Sequence, residues 1–433
     1  MRLLYSLLLY LIAPLTPFYL FWRGLREPAY RQRWLERYGL PPRDIPRGGI
    51  WVHAASMGEV QAAGPFLREL LNRYPQLPLV VTTMTPTGAA QLERLLGDQV
   101  RHCYLPFDLP HAVALFLHRL RPRLALVVEM ELWPNLFHAI RKRGIPLLLV
   151  NARLSARTAA GYGRVRRLME PVLQCPSRIA AQTRDDARRL LELGAPDERL
   201  VVAGSLKFDQ SLPASTREQG EVLRQQLGPD RPAWIAASTR EGEEEQVLRA
   251  HELVRQVLPA ALLILVPRHP DRFARVHALC REAGYGVSRR SDGGPCPAHD
   301  QVYLADTVGE LPLLYAAADV AFVGGSLVPL GAHNVLEPAA LGVPVIVGPH
   351  AFNFAEITAR LVAAGACQQV TDAGALADTV TELLENPDLR ARMGRAGQRL
   401  VEGNRGATRA VIALVDEILG DSGAPHRGSG SAQ

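Results

Sequence analysis

The chain has 433 residues, 48% of them hydrophobic, and a formal net charge of +6 at pH 7. This length exceeds one ordinary core and predicts two domains, and the hydrophobic fraction excludes a disordered chain. The basic excess is almost entirely arginine, because Lys142 and Lys207 are the only lysines, and no aromatic and basic pattern of nucleic-acid binding is present. Five cysteines without a Cys-x-x-Cys pair argue against a zinc site or a disulfide framework and favour a reducing compartment.

Residues 1–22 are apolar and carry no charge after Arg2. They are long enough for the roughly 20-residue span of a hydrocarbon core, which favours a membrane anchor over a cleaved signal peptide. Several arginines follow, and the positive-inside bias then predicts that the rest of the chain lies in the cytoplasm; they are Arg23, Arg26, Arg31, Arg33 and Arg37. Because Pro14 and Pro17 interrupt the segment, a helix lying partly in one leaflet remains an alternative to a spanning helix.

Short apolar runs separated by helical patterns follow the anchor and predict a domain over 23–203. The expected strands are 49–54, 78–83, 100–104, 124–128, 146–150, 178–181 and 200–202. Helical periodicity lies between them at 60–74, 87–96 and 183–193. This alternation predicts a doubly wound, Rossmann-like parallel sheet of the α/β class.

A more polar stretch at 204–233, with Pro213, Pro229 and Pro232, predicts a hinge. A second strand series then begins, at 234–237, 262–266, 301–304, 320–323 and 344–347, followed by helical patterns at 375–385, 389–402 and 407–419. The pattern predicts a second Rossmann-like domain over 234–419 with closing helices, and a disordered tail at 420–433.

Glu59 follows the first strand, where the turn gives way to a helix. In this position a carboxylate is suited to act as a general base on an incoming hydroxyl, at the mouth of a cleft between the domains. An ordinary first-turn glutamate favoured by the helix dipole is the alternative. The dipole leads us to expect an ionised Glu59.

Two further strand ends carry candidate groups for the same chemistry. Glu129 and Glu131 follow strand 124–128 and, if still extended, share one face, so that either can orient an acceptor or a basic residue; helix capping is the alternative. Lys207 follows the last strand of the first domain and is either functional or a surface ammonium.

The stretch 324–338, Gly-Gly-Ser-Leu-Val-Pro-Leu-Gly-Ala-His-Asn-Val-Leu-Glu-Pro, follows an apolar strand and precedes a helical pattern. A glycine-rich turn of this kind exposes backbone N–H groups to an anion such as a phosphate. Asn334 and Glu337 are three residues apart and are expected on one helix face, where the carboxylate can accept hydrogen bonds from both ribose hydroxyls. An ordinary helix start with a solvated glutamate is the alternative interpretation.

Other strand ends of the second domain supply groups for an anion. Arg268 follows strand 262–266 and can pair with a phosphate, or be a surface arginine. Gly309 and Glu310 are expected to open a helix and offer N–H groups; a capping box between Thr307 and Glu310 is the alternative. The absence of an Asp-x-Asp pair predicts no metal at the site.

Nine ordered motifs together resemble the Kdo transferases, which add 3-deoxy-D-manno-octulosonic acid (Kdo) to the lipid A precursor. The resemblance covers nearly the whole chain. It is carried by 53–59 (His-Ala-Ala-Ser-Met-Gly-Glu), 82–88 (Thr-Thr-Met-Thr-Pro-Thr-Gly), 106–108, 131–135, 151–155 (Asn-Ala-Arg-Leu-Ser), 207–209, 236–245, 267–272 and 324–338.

The resemblance implies a GT-B fold and an inverting transfer of Kdo from CMP-Kdo to lipid IVA at the inner membrane, with anionic lipid as a further partner. Glu59 matches the proposed base, and Glu131 and Lys207 complete the expected catalytic group. The implied CMP-contacting residues are Pro267, Arg268, Val308, Gly309, Glu310, Ser326, Asn334, Val335, Leu336 and Glu337. No cofactor is expected, because CMP-Kdo is a substrate.

Four positions depart from the family pattern, namely Met130, Ser205, Arg240 and Ala332. Two other functions stay open. One is a GT-B transferase using a UDP- or ADP-sugar on an inner-membrane acceptor, and the other is a membrane-tethered protein that binds a nucleotide sugar without turnover.

Overall fold

The first of two compact units comprises Met1–Gln210 and Asn404–Gln433. The computed structural model describes residues 1–210, 212–213 and 215–421. A seven-stranded parallel sheet forms the centre of this unit, and its strands are β1 (Ile50–His53), β2 (Leu79–Thr83), β3 (Arg101–Tyr104), β4 (Leu124–Val128), β5 (Leu147–Ala152), β6 (Arg178–Ala181) and β7 (Leu200–Val202). Their order is β3-β2-β1-β4-β5-β6-β7, so the winding reverses between β1 and β4. In open parallel sheets, ligands bind beyond the strand ends at this reversal.

Helices cover both faces of the sheet, and its strands are therefore buried on both sides. The helices of the first unit are α1 (Arg2–Ile12), α2 (Thr16–Arg26), α3 (Met57–Arg73), α4 (Pro86–Leu96), α5 (Pro110–Leu120), α6 (Pro134–Lys142), α7 (Ala156–Arg164), α8 (Arg166–Leu173) and α9 (Arg184–Glu192). One core cluster includes Trp51 and Phe116, and the other includes Val52 and Phe66. Trp51 and Val52 lie on opposite faces, as alternation along a strand requires.

The second unit, Ser211–Gly403, contains another seven-stranded parallel sheet. Its strands are β8 (Ala233–Thr239), β9 (Leu262–Pro267), β10 (Val287–Arg289), β11 (Val302–Leu304), β12 (Val320–Val323), β13 (Val345–Val347) and β14 (Cys367–Gln369). The order β10-β11-β9-β8-β12-β13-β14 reverses between β8 and β12. The two Rossmann-like sheets that the sequence predicts are therefore confirmed.

The helices of the second unit begin inside the predicted hinge. They are α10 (Thr216–Leu227), α11 (Glu244–Val257), α12 (Phe273–Glu282), α13 (Leu311–Ala316), α14 (Leu336–Leu341), α15 (Ala355–Ala363), α16 (Ala373–Glu385) and α17 (Pro387–Glu402). Helix α10 packs against α13, where Ala316 lies close to Gly220. The boundary between the two units, at 210/211, falls within the predicted linker 204–233, but the linker contains a helix that the sequence analysis did not predict. Its role as a hinge stays a prediction.

The last helix, α18 (Ala407–Asp421), belongs to the first unit, whereas the sequence analysis placed it among the closing helices of the second domain. Its apolar face, with Val411 and Val415, joins the core cluster of α3 that contains Phe66. Residues 420 and 421 continue this helix, and the rest of the predicted tail lies outside the described residues. Helical periodicity identifies the apolar face, but it does not say which of two sheets the face will cover.

Asp209 fixes the start of α18, because its carboxylate accepts hydrogen bonds from the backbone N–H groups of Gly406 (2.7 Å) and Thr408. We expect Asp209→Ala to lower the free energy of unfolding by about 0.5–2 kcal/mol, since helix N–H groups lose their acceptor. Denaturant titration measures this loss, and Asp378→Ala, at an exposed position on α16, is a control expected to change little. Equal stability of the two variants would contradict this role of Asp209.

Most predicted strands are confirmed to within two residues, and 124–128, 178–181, 200–202 and 320–323 match their observed bounds. The sequence analysis missed β10 and β14. Each has three residues and pairs on one side only, with β11 and with β13. Partly exposed side chains at these sheet edges remove the continuous apolar run that marks a central strand.

Residues Arg2–Arg26 form the one helical segment among the described residues that is long and apolar enough to cross a membrane. Pro14 lies in a single 3₁₀ turn between α1 and α2, and Pro17 occupies the first turn of α2. Proline is tolerated in a first helical turn because the N–H groups there need no intrahelical partner. The two prolines therefore leave the segment helical throughout.

Candidate active site

Glu59 lies in the first turn of α3, beyond the end of β1. Its backbone N–H donates to the Ser56 hydroxyl (3.4 Å), and its carboxylate accepts a hydrogen bond from the N–H of Ala55. This arrangement resembles a capping box. Glu59 therefore acts as a first-turn glutamate of the helix, which was the alternative interpretation of its position. A capping role leaves the second carboxylate oxygen available for chemistry.

Burial raises the pKa of Glu59 to about 8, and the negative charges of Glu129 and Glu131 add to this shift. The expectation of an ionised Glu59 is therefore wrong. The helix N-terminus does favour the charged form, but burial and two like charges outweigh it.

Glu129 and Glu131 lie close to Glu59 because β4 and β1 are neighbours in the sheet. The two do not share a strand face, since β4 ends at Val128 and Glu129 has a φ of 61° in the left-handed region. Glu131 accepts a hydrogen bond from the indole of Trp133 (3.0 Å). Burial, followed by the charge of Glu129, raises the pKa of Glu131.

Lys207 brings a positive charge to this acidic group. Its ammonium lies 4.0 Å from a carboxylate oxygen of Glu129. Lys207 is in a short 3₁₀ turn that follows β7, and the turn is held by Asn151, whose side-chain oxygen accepts from the N–H of Leu206 (3.0 Å). The sequence analysis did not single out Asn151, although its motif, 151–155, was one signal available.

We expect Glu129→Gln to move the acid limb of the pH–rate profile to lower pH. A general base works in its ionised form, so activity should rise with pH through the pKa of Glu59, near 8 in the wild type. Removing the negative charge of Glu129, the larger of the two charge contributions, lowers the pKa of Glu59. The profile of kcat/KM measures the shift, and an unchanged limb would mean that another group titrates.

The glycine-rich turn of the second unit is occupied by a carboxylate of the protein itself. Glu243 is fully buried, and one of its oxygens accepts from the N–H groups of Ser326 and Leu327, both at 2.9 Å. The other oxygen accepts from Gly325 (2.6 Å) and Arg240 (3.0 Å). The expectation that the N–H groups of this turn hold a phosphate is therefore wrong for these residues.

Glu243 follows β8 and the turn follows β12, so the reversal of this sheet brings them together. Burial raises the pKa of the Glu243 carboxyl, and the backbone N–H groups offset part of that shift. Three consecutive amides around one carboxylate form an anion-binding concavity that needs no external anion. The sequence analysis included Glu243 in a family motif without assigning it a role.

Ser326 is also engaged within the protein. Its hydroxyl donates to the carbonyl of Val323 (2.6 Å) and accepts from the N–H of Gly348 (2.8 Å), and its side chain is fully buried. A direct contact of Ser326 with a nucleotide does not fit this geometry. Ala332, which departs from the family pattern, is buried with a φ outside the left-handed region, so alanine fits there without backbone strain.

Asn334 and Glu337 meet as predicted, with the Asn334 amide donating to the Glu337 carboxylate (2.9 Å). They do not share a helix, however, because α14 begins at Leu336 and Asn334 precedes it. The Asn334 oxygen accepts from the N–H of Leu336 (3.1 Å) and caps the helix start. Val335 and Leu336, which lie between Asn334 and Glu337 in the sequence, are buried.

Positive groups lie around this polar pair. Arg268 has an exposed side chain. Burial raises the pKa of Glu337, and the hydrogen bond from Asn334 and then the charge of Arg268 offset part of that shift. The Arg240 guanidinium lies 2.5 Å from Nε2 of His269. Burial, followed by Arg268 and Arg240, lowers the pKa of His333 to about 4, so the imidazole is neutral at pH 7. The arginines rather than the histidine supply the positive charge.

The predicted contacts around 308–310 fall outside a helix. Helix α13 begins at Leu311, and Val308 is 76% exposed beside Gly309, whose φ is 93°. Glu310 is paired with the Arg290 guanidinium (2.8 Å) and accepts from the Thr307 hydroxyl (2.5 Å). Its carboxylate is therefore a structural partner of Arg290. Pro267 ends β9 and is buried.

No group of three or more His, Cys, Asp or Glu side chains among the described residues is arranged to hold a metal ion. His53 is buried against Thr82, whose hydroxyl lies 2.9 Å from Nδ1, and burial lowers the pKa of His53 to about 4. A structural role for His53 agrees with this position. Independence from metal stays a prediction.

The two parallel sheets, each reversing at a strand pair that carries polar groups, have the architecture of the GT-B fold. Residues 296–400 match the family of group 1 glycosyl transferases. A UDP-GlcNAc 2-epimerase from Neisseria meningitidis has the same fold, with a TM-score of 0.58 and 16% identity over 85% of this chain and 100% of its own.

Residues 32–210 match the family described as 3-deoxy-D-manno-octulosonic-acid transferase. The 3-deoxy-D-manno-octulosonic acid transferase of Haemophilus influenzae is 41% identical over 96% of this chain and 99% of its own. That of Bordetella pertussis is also 41% identical, over 86% of this chain and 87% of its own. The chain belongs to the Kdo transferase family.

Proposed function

We propose that this Kdo transferase moves Kdo from CMP-Kdo to lipid IVA with inversion at the anomeric carbon, and releases CMP. The observation that carries the proposal is the acidic group of Glu59, Glu129 and Glu131 at the strand reversal of the first unit, in a member of this family. A buried carboxylate with a pKa near 8 can take a proton from a sugar hydroxyl at neutral pH and pass it to water afterwards.

Glu59 is the proposed base. As its carboxylate removes the proton of a primary sugar hydroxyl, the oxygen attacks the anomeric ketose carbon, and the bond from that carbon to the CMP phosphate oxygen breaks. The electron pair of the broken bond leaves with CMP. Glu131 is proposed to orient the acceptor. Lys207 is proposed to balance the negative charge of the neighbouring carboxylates.

The donor is proposed to bind the second unit at the reversal between β8 and β12. Arg268 and Arg240 supply positive charge for the phosphate, and the Asn334–Glu337 pair supplies an acceptor for ribose hydroxyls. Since Glu243 already occupies the turn amides, we assign the phosphate to the arginines. Val308 and Gly309 are proposed as exposed contacts for the rest of the nucleotide.

The enzyme is proposed to act at the cytoplasmic face of the inner membrane, attached by its N-terminal segment and without a metal ion. Support comes from the apolar segment Arg2–Arg26 and from the arginines that follow it. Anionic lipid is the expected partner of these arginines.

The test is transfer from CMP-Kdo to lipid IVA by the full chain in lipid vesicles, read as the mass of the lipid product. We expect a product heavier by one Kdo unit or more. Competition by CMP but not by UDP or ADP would exclude a transferase that uses those sugars. Absence of product from folded, vesicle-bound protein would overturn this donor and acceptor pair, and chelator-resistant activity would support independence from metal.

A further inference from the structure

The N-terminal helical segment contacts the first unit through polar side chains. The Ser6 hydroxyl donates to the side-chain oxygen of Asn135 (2.9 Å), and Ser6 is buried. One helical turn later, the Tyr10 hydroxyl lies 2.9 Å from Nδ1 of His111, and the two rings are stacked at 5.5 Å. Both partners belong to the globular part of the unit, at the starts of α6 and α5.

The contact continues to the other end of the segment. The hydroxyls of Thr16 and Tyr38 lie 2.7 Å apart. Leu20 is 1% exposed, and Gly24 is so close to Arg31 that a β-carbon there would lie 2.4 Å from its side chain. These residues recur at intervals of four to six and mark one side of the whole segment.

The length of this contact determines whether the segment can span a bilayer or must lie along its surface. From Ser6 to Gly24 the helix rises about 27 Å at 1.5 Å per residue, close to the ~30 Å of a hydrocarbon core. A spanning orientation with these contacts intact would place His111 and the buried Asp108, whose carboxylate accepts from the N–H groups of Asn135 (2.9 Å) and Leu136, inside the hydrocarbon. Ionisable side chains at that depth are costly.

The opposite side of the segment is exposed and apolar. Its large side chains are 46–81% exposed, and they are Leu3, Leu4, Leu7, Leu8, Leu11, Ile12, Leu15, Phe18, Tyr19, Phe21, Trp22 and Leu25. No charged residue occurs between Arg2 and Arg23. A continuous apolar surface of this size on a soluble protein marks an interaction with a partner or a membrane.

Arginines border this surface where the segment ends. The Arg26 guanidinium lies 5.6 Å from the Trp22 ring centre, and the Arg31 guanidinium lies 5.3 Å from that of Phe21. Aromatic rings beside guanidinium groups are typical of the boundary between headgroups and acyl chains. The positive border attracts anionic headgroups and would repel the same border of a second copy, which favours lipid as the occupant.

We propose that Arg2–Arg26 lies in the plane of one leaflet, with one side fixed to the first unit and the exposed side in lipid, and does not cross the bilayer. The proposal rests on the membrane location proposed above. The segment is then connected to the active site. Asn135 accepts a hydrogen bond from Ser6 of the segment, and Trp133, two residues earlier, donates one to Glu131. A lipid acceptor can therefore approach Glu131 while its acyl chains stay in the leaflet.

The topology of the full chain tests the proposal directly. One epitope tag is placed before Met1 and another after Gln433, and antibody access is measured on intact and on permeabilised spheroplasts. We expect both tags to be accessible only after permeabilisation. Access to the N-terminal tag alone in intact spheroplasts would show that the segment crosses the membrane and would overturn the proposal.

The lipid contact is tested by flotation of the full chain with vesicles of phosphatidylethanolamine and phosphatidylglycerol. We expect the double variant Leu8→Glu and Phe18→Glu to lose vesicle binding at least tenfold. The matched control is Val222→Glu with Val257→Glu, at two positions on α10 and α11 that are 58% and 56% exposed, and it should bind like wild type. Unchanged flotation of the first variant would overturn the proposal.

A second copy of the chain is the other possible occupant. If vesicle-free protein forms a discrete dimer that the Leu8→Glu and Phe18→Glu variant dissociates, while vesicles do not compete with the dimer, the surface is a dimer interface and the proposal fails. Neither flotation nor tag access involves a sugar donor. These results are therefore independent of whether the chain transfers Kdo.

Discussion

Glu59→Gln should lower kcat for Kdo transfer by about 10²–10⁴-fold with little change in KM for the donor. The amide cannot accept the proton of the attacking hydroxyl, and general base catalysis supplies an acceleration of this size. The Gln oxygen can still accept the hydrogen bond from Ala55, so the start of α3 should remain intact. Product mass against time, measured at saturating donor, gives kcat.

The matched control is Glu69→Gln, an exposed position on the same helix, which should leave kcat within twofold of the wild type. Circular dichroism and thermal unfolding confirm that both variants fold. A Glu59→Gln variant with wild-type kcat would remove Glu59 from the chemistry, and the buried position would then need a structural explanation such as the capping hydrogen bond.

Glu243→Ala should destabilise the second unit and weaken donor binding. The change leaves the buried N–H groups of Gly325, Ser326 and Leu327 without their acceptor, and each unsatisfied buried group costs about 1–3 kcal/mol. We therefore expect the free energy of unfolding to fall by about 3 kcal/mol or more. Denaturant titration measures the loss, and calorimetric titration with CMP should show an affinity at least tenfold lower.

Glu243→Gln separates charge from shape. Each Glu243 oxygen accepts two backbone N–H groups, so either orientation of the Gln amide turns an NH₂ group toward two donors. The near-isosteric Gln variant should therefore also lose donor affinity. The exposed neighbour Glu245→Gln serves as the control and should behave as wild type. Wild-type CMP binding by Glu243→Gln would show that the turn keeps its shape without this carboxylate.

The candidate site was only partly predictable, and Glu59 and Glu243 illustrate the difference. Position after a strand was sufficient to find Glu59, because parallel sheets gather strand ends at one edge. Its raised pKa depends on burial and on the two acidic residues beyond β4, which are about 70 positions away in the chain. Glu243 lies in a run of glutamates, a composition typical of a solvated helix start, so the sequence does not distinguish it from its neighbours.

The sequence by itself determined the fold class, most of the strands and the family of this protein. Apolar runs with the strand period, and arginines after an apolar segment, are local signals. Local signals can be recognised in the sequence without knowledge of the fold. The family motifs are likewise contiguous stretches, such as 53–59 and 324–338.

Tertiary structure alone decided which groups meet. It placed α18 on the first unit, filled the turn at 325–327 with the Glu243 carboxylate, and fixed one side of Arg2–Arg26 to the protein through Asn135. The physical reason is the same in each case. Burial and hydrogen-bond partners come from residues distant in the chain, and strand order, which local periodicity does not encode, determines which of those residues become neighbours.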